Sequence, residues 1–227
     1  MSRPRLLDLF CCEGGAAKGY RDAGFEVIGV DTEPQPRYPY EFHEADALSV
    51  LRSMAYWPNF GGELWRPASY DAIHASPPCQ DYSKAMRHLT GGYPRLIDPV
   101  RDLLKKIGLP WIIENVPGAP LPVQTDLFGA HGVELCGTMF GLPIWRHRLF
   151  ETSFPISAPR GCDHTAQPMN PHRAVRRGGR TLEADWREAM GVGWMSRYGA
   201  REAVPPVYTE SIGLQLVASL VAAKGAA

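Results

Sequence analysis

The sequence predicts an α/β fold built on a largely parallel sheet, on three observations. Short apolar runs alternate with stretches of helical spacing between Arg5 and Val116. The first run opens into a glycine turn, and the second closes on an acid, Asp31. Two later runs lead directly into residues that carry chemistry, Cys79 and Glu114. At 227 residues the chain can form one such domain with a true core, plus a small appendage.

The elements follow in order. Arg5-Leu6-Leu7-Asp8-Leu9-Phe10 reads as the first strand, and Cys11-Cys12-Glu13-Gly14-Gly15 as a tight turn. Ala16 to Ala23 has helical spacing and Gly24 stops it. Phe25 to Asp31 is the second strand. Glu41 to Asp46 is a third strand, and Ala47 to Ala55 a helix. Tyr56 to Ser69, with Gly61-Gly62 and Pro67, reads as a loop. Tyr70 to Ala75 is the fourth strand; Pro77-Pro78 ends it, because proline cannot donate to a ladder. Pro94 to Ile107 spaces its apolar residues as a helix, with Gly108 as its stop. Leu109 to Val116 is a strongly apolar strand ending in Glu114-Asn115.

Composition removes several classes. Lys+Arg and Asp+Glu balance at 24 each, so no global basic field marks a nucleic-acid binder, although a local patch can. No stretch has the length and apolarity of a membrane span, and the beginning of the chain does not read as a signal peptide. The five cysteines (11, 12, 79, 136 and 162) have no disulfide-framework spacing, and reduced thiols in a cytoplasm are expected.

Strand, glycine turn, helix, strand, acid is the order of a Rossmann-like nucleotide site. The dinucleotide glycine pattern is missing, and Glu13 would repel a pyrophosphate. A hydride-transfer enzyme is therefore disfavoured, and an adenosine ligand with a cationic or zwitterionic tail fits better. Open α/β sheets bind ligands beyond the carboxyl ends of their strands, which brings Asp31, Cys79 and Glu114 towards one site. A Glu in so apolar a strand should have its pKa raised by burial. Asp81 to Tyr93, with Lys84, Arg87 and His88, is expected to close over a ligand. Glu151 to Arg180 concentrates Arg160, His164, His172, Arg173, Arg176, Arg177 and Arg180, a local patch suited to phosphates. Cys162-x-His164 with His172 and Cys136 matches no common zinc spacing, and no metal is expected.

Taken together, these segments resemble the cytosine-C5 DNA methyltransferases over nearly the whole chain. Asp8-Leu9-Phe10 with Gly14-Gly15, Gly29-Val30-Asp31 and Ala45-Asp46-Ala47 are similar to that family's three cofactor motifs in order. Pro78-Cys79-Gln80 with Ser83 resembles the nucleophile motif, and Glu114-Asn115-Val116 its ENV tripeptide. Arg146-His147-Arg148 resembles the arginine motif, Trp186 to Gly191 the ninth, and Ala203-Val204-Pro205-Pro206 to Gly213 the tenth. The short methylases of phage genomes are the narrower likeness. Three positions depart from the pattern: Cys12 stands for Gly, Ile144 for Gln and Glu202 for Asn.

The resemblance implies a Rossmann-like, S-adenosylmethionine-dependent methyltransferase sheet with a very small target-recognition region. The expected division is residues 1–150 for the core, 151–183 for target recognition and 184–227 for a segment returning to the core. Cofactor contacts are implied for Phe10, Cys12, Glu13, Gly14, Gly15, Asp31, Thr32, Asp46, Ala47, Pro78, Ala203 and Val204. Catalysis is implied for Cys79, Glu114, Arg146 and Arg148. Double-stranded DNA would meet Gln80, Ser83, Lys84, Arg87, Asn115, Arg173, Arg176 and Arg177. The implied reaction flips a cytosine out of the duplex, adds Cys79 to C6 and methylates C5, within a recognition sequence of roughly two to four base pairs. A monomer acting in the cytoplasm, the host's if the source is a phage, and a restriction-modification role are expected with it. Transfer of a modified sulfonium group, an RNA acceptor and a catalytically silent DNA-binding relative are the competing readings.

Overall fold

The computed structural model describes residues 3–59, 62–79, 82, 94–124, 131–166, 168–169, 176–177 and 180–225. Seven strands form one sheet: β1 (Arg5–Leu9), β2 (Glu26–Asp31), β3 (Glu41–Glu44), β4 (Ala72–Ala75), β5 (Trp111–Asn115), β6 (His131–Leu135) and β7 (Arg148–Thr152), in the spatial order β3-β2-β1-β4-β5-β7-β6. The pairs among β1 to β5 are parallel, whereas β7 runs antiparallel to both β5 and β6. The helices are α1 (Gly15–Asp22), α2 (Ala47–Tyr56), α3 (Ile97–Ile107), α4 (Leu182–Ala189), α5 (Arg197–Glu202) and α6 (Pro206–Gly225). A two-stranded antiparallel pair, β8 (Arg176–Arg177) and β9 (Arg180–Thr181), stands apart from the main sheet.

The alternation of the strands divides the core. Leu6, Val27, Ala72 and Ile112 face one side and join Tyr20 of α1 with Tyr208, Ile212 and Leu216 of α6. Leu7, Ile28, Ile73 and Ile113 face the other and join Val50, Leu51 and Met54 of α2 with Val100 and Leu104 of α3. Both faces of the sheet are thus covered, as parallel strands with continuous apolar runs require. The strand order reverses between β1 and β4, and a crevice opens there beyond their carboxyl ends.

The strands and helices expected from Arg5 to Asn115 all form, with β4, α3 and β5 each starting two or three residues later than the pattern suggests. Residues 131–152 gave no strand signal, because β7 is a buried strand with charged members. Its Glu151 is buried and receives Arg101 of α3, with Nε at 2.9 Å and Nη2 at 2.8 Å. Arg148 at its start is likewise paired, to Glu114.

Polar contacts fix α1 against the sheet. Tyr20 Oη lies 2.9 Å from His74 Nδ1, and Ser76 Oγ lies 2.8 Å from His74 Nε2. Burial pushes the His74 pKa down to about 3, so the ring is neutral and holds both neighbours by hydrogen bonds. This chain of contacts ends at the turn that presents Cys79.

Close helix packing returns the end of the chain to α1. Thr209 Oγ1 donates to Ala16 O at 2.8 Å inside that contact. A Cβ on Gly19 would fall on Pro206 O and Thr209 Oγ1, and one on Gly213 would lie 2.7 Å from Ala23 Cβ. Gly19→Ala is therefore expected to destabilise the protein by about 1–3 kcal/mol or more, despite the better helix propensity of alanine. Chemical denaturation checks this; a variant as stable as the wild type would show that α6 is not held at this distance.

Candidate active site

The crevice floor begins with the turn after β1. Phe10 and Cys12 both adopt positive φ, 59° and 45°. Such a backbone strains non-glycine residues, and Cys12 adopts it at the position where the resemblance implies Gly. The turn is tied down by Cys11 N donating to Val30 O at 3.1 Å and Cys12 N donating to Asp31 Oδ2 at 3.0 Å. Gly14 is also left-handed (φ 84°), and a Cβ there would press on Pro39 and Tyr38. Phe10, Cys12, Gly15, Asp31, Thr32, Pro78, Ala203 and Val204 line the crevice.

Other cofactor-motif residues play supporting parts. Glu13 accepts from Ser196 N at 2.6 Å and Ser196 Oγ at 2.5 Å, so its carboxylate anchors the start of α5. Asp46 caps α2, accepting from Ser49 N at 2.8 Å, and Ala47 is buried behind it. Met195 and Tyr198 also line the crevice; no motif pointed to them, because they arrive through the fold of the C-terminal segment.

Cys79, Glu114 and Arg148 share this crevice. Glu114 closes β5. Because β7 runs antiparallel, Arg148 at its start lies beside that end of β5, and its Nε sits 2.9 Å from Glu114 Oε1. The approach is not aligned as a hydrogen bond, and Oε1 accepts none among the described residues. Burial raises the Glu114 pKa, and Arg148 pulls against it. Burial thus favours the protonated form and the guanidinium opposes it, and a protonated carboxyl at this place can donate a hydrogen bond.

Arg146 and Asn115 turn away from the crevice. Arg146 Nε donates to Ala203 O at 2.8 Å and Nη2 donates to Arg201 O, while Tyr208 Oη donates to Arg146 O at 2.5 Å. Its guanidinium clamps the C-terminal segment; burial and then Arg148 bring its pKa down to about 9, and it remains charged at neutral pH. Asn115 is 1% exposed, which removes it from a nucleic-acid surface. Its Nδ2 donates to Pro77 O at 2.9 Å and fixes the two-proline turn in front of Cys79. Gln80, Ser83, Lys84, Arg87 and Arg173 lie outside the described residues, as do the side chains of Arg176 and Arg177.

The solved structure of the Entamoeba histolytica methyltransferase EhMeth matches this fold, with a TM-score of 0.53, over 97% of this chain and 99% of that one at 10% identity. The chain therefore shares the fold of that methyltransferase. Among curated proteins, type II methyltransferase M.HgiGI of Herpetosiphon aurantiacus is 31% identical over 126 residues, which are 52% of this chain and 94% of that protein. Type II methyltransferase M.HgiDI of the same organism is 26% identical over 164 residues, 64% of this chain and 50% of that protein. The chain thus spans nearly all of one relative and half of the other. No protein-family model matches it. The chain belongs to the type II methyltransferase family.

Glu202, the departure from the tenth motif, stands beside the nucleophile: Cys79 Sγ lies 4.0 Å from Glu202 Oε2. Burial raises the Cys79 pKa, the Glu202 and Glu114 carboxylates raise it further, and Arg148 opposes them. The resting group is a thiol, and its reactivity should climb with pH as the thiolate forms. Removing the Glu202 charge lowers the cost of that thiolate. Glu202→Gln should therefore shift the pH profile of Cys79 alkylation to lower pH and speed the reaction roughly threefold to tenfold at neutral pH. Iodoacetamide kinetics followed by peptide mass spectrometry would measure it; an unchanged profile would mean that the carboxylate does not reach the thiol.

Proposed function

We propose that this protein is a DNA cytosine-C5 methyltransferase that works through a covalent bond between Cys79 and C6 of the base. The observation that supports this most is the meeting of a thiol, a buried acid of raised pKa and a guanidinium in one crevice, beside a nucleotide-type turn. The relatives' names support methyl transfer, and the resemblance of the motifs in order points to the DNA base and the atom.

The crevice residues suit S-adenosylmethionine. Asp31 stands at the end of β2, within reach of ribose hydroxyls, and Phe10 offers an apolar ring. Asp8 Oδ1 is buried without a hydrogen-bond partner, an acceptor for a cationic or donor group, although burial pushes its pKa up to about 8. When bound, S-adenosylmethionine would supply the methyl group from its sulfonium and depart as the neutral thioether S-adenosylhomocysteine.

The chain's own residues do the rest. Cys79 loses its proton and adds to C6, forming the S–C bond and making C5 nucleophilic. Glu114, protonated, donates to N3 and neutralises the electron density that arrives there, while Arg148 keeps the acid in place. After C5 has been alkylated, its proton leaves, and the S–C bond breaks to restore the ring and free the thiolate. The C5 atom is shielded inside a duplex, so the base must be flipped into the crevice. The pair β8 and β9, with its arginines, belongs to the segment we assign to the DNA.

Glu202 gives one reason to read the mass of the product as well as its position. A carboxylate beside the nucleophile could accept a hydrogen bond from a substituent larger than methyl.

DNA co-expressed with the protein should carry 5-methylcytosine at one short sequence, detected by digestion and mass spectrometry together with base-resolution sequencing. Cys79→Ser should lower product formation by at least about a thousandfold while leaving cofactor binding intact. The wild type should also form a denaturation-resistant adduct with DNA containing 5-fluorocytosine, because fluorine cannot leave as the proton does. Product from the serine variant at a rate near wild type would overturn the assignment of the nucleophile.

A further inference from the structure

On the far side of the arginine motif, four side chains that the methylation chemistry does not use converge. Cys136 follows β6, His147 sits between the two arginines, and Cys162 and His164 come from the irregular segment after β7. Cys136 Sγ lies 3.4 Å from His164 Nε2, and Cys162 Sγ lies 3.7 Å from His147 Nε2. One ligand atom from each residue lies within 4.8 Å of all the others. Ligands placed tetrahedrally at zinc–sulfur and zinc–nitrogen bond lengths stand about 3.3–3.8 Å apart, so the two close contacts already match edges of such a tetrahedron.

We propose that Cys136, His147, Cys162 and His164 form a structural zinc site that pins the segment leading to the target-recognition region onto the sheet. Two sulfurs and two imidazole nitrogens are the donor set that favours zinc, and four protein ligands close the site to a fifth, reactive group. Binding displaces the thiol protons of Cys136 and Cys162, so affinity falls as the pH falls.

The surroundings hold the ligands in place. Thr138 Oγ1 lies 3.4 Å from Cys136 Sγ and accepts from Asp163 N at 3.1 Å, between the other two ligands. Arg160 Nε donates to Met139 O at 2.7 Å, docking the same segment on the turn after Cys136. Trp145 stacks on His164 with ring centroids 4.6 Å apart. Residues 155–166 contain no helix or strand, and Gly161 to Thr165 are exposed. Ile156 and Ala158 pack on the main core, but residues 159–166 bury no side chain and need another source of order, which a metal can supply. The spacing, Cys-x10-His-x14-Cys-x-His, hides the site in the sequence, since its only short step is Cys162-x-His164.

The full chain, purified under reducing conditions without chelator, should carry about one zinc per molecule by plasma mass spectrometry. Cys162→Ser and His164→Ala, both at exposed positions, should each bring zinc below roughly a tenth of an equivalent after dialysis against a mild chelator. If a variant proves unstable, cobalt titration of the wild-type apoprotein provides the test. Cobalt should give intense visible bands of tetrahedral symmetry with thiolate-to-metal charge transfer, and zinc should abolish them. Folded wild type that takes up neither metal, octahedral cobalt spectra, or full zinc retention in Cys162→Ser would each overturn the proposal.

Discussion

The crevice depends on one constraint: the end of the chain must lie against α1 at nearly backbone distance. Its floor comes from the first strands, but one wall consists of Met195, Tyr198, Glu202, Ala203 and Val204. Nothing in the local sequence of that wall forces it to stand there. It is held because Gly19 lets α1 approach the Pro206 carbonyl and Thr209, Gly213 returns the approach from α6, and Thr209 reaches the Ala16 carbonyl. Arg146 adds a second tie by donating to two carbonyls of the same segment. A side chain at either glycine would move the wall before it touched any residue of the crevice.

The second requirement is met by strand direction. A parallel strand after β5 would deliver its carboxyl end to the crevice. The antiparallel β7 delivers its beginning, so the residues just before the strand arrive beside Glu114. That is how an arginine far from Glu114 in sequence comes to tune its acidity. The pair is also unequal. Glu114 is buried enough for its pKa to rise, while the ion pair is too poorly aligned to saturate Oε1. A fully bonded carboxylate would stay ionised and have no capacity left for a base nitrogen.

The parallel half of the fold was legible in the sequence because its strands are buried on both faces and their apolar runs are interrupted only by turn residues. The meeting of Asp31, Cys79 and Glu114 in one crevice was legible for a related reason: they end such runs or follow them directly, and strand ends face ligands in open sheets. The antiparallel half was not. β7 buries Arg148 and Glu151 in ion pairs whose partners lie on β5 and α3, and a hydropathy pattern cannot see a partner distant in sequence. The roles of Arg146 and Asn115 were hidden in the same way. Both belong to motifs, yet their polar atoms are spent on the backbone carbonyls of other segments, a distinction that only three-dimensional packing reveals.

Three consecutive residues tie three parts of the molecule together. Arg146 reaches the C-terminal wall, Arg148 reaches the acid, and His147 between them reaches Cys162 in the segment that leads towards the recognition region. A displacement of that segment would act on the backbone of His147, which is bonded on either side to residues with work in or beside the crevice. A large recognition domain can be positioned by its own core. Here Ile156 and Ala158 pack on the main core, the third apolar cluster, around Trp186, Met190 and Met195, packs mainly residues that follow the segment, and residues 159–166 are left to polar contacts. The ligand set proposed for Cys136, His147, Cys162 and His164 would hold this segment beside Arg148 in place of a second core. The segment we assign to the target would then be mechanically linked to Arg148, the partner of Glu114.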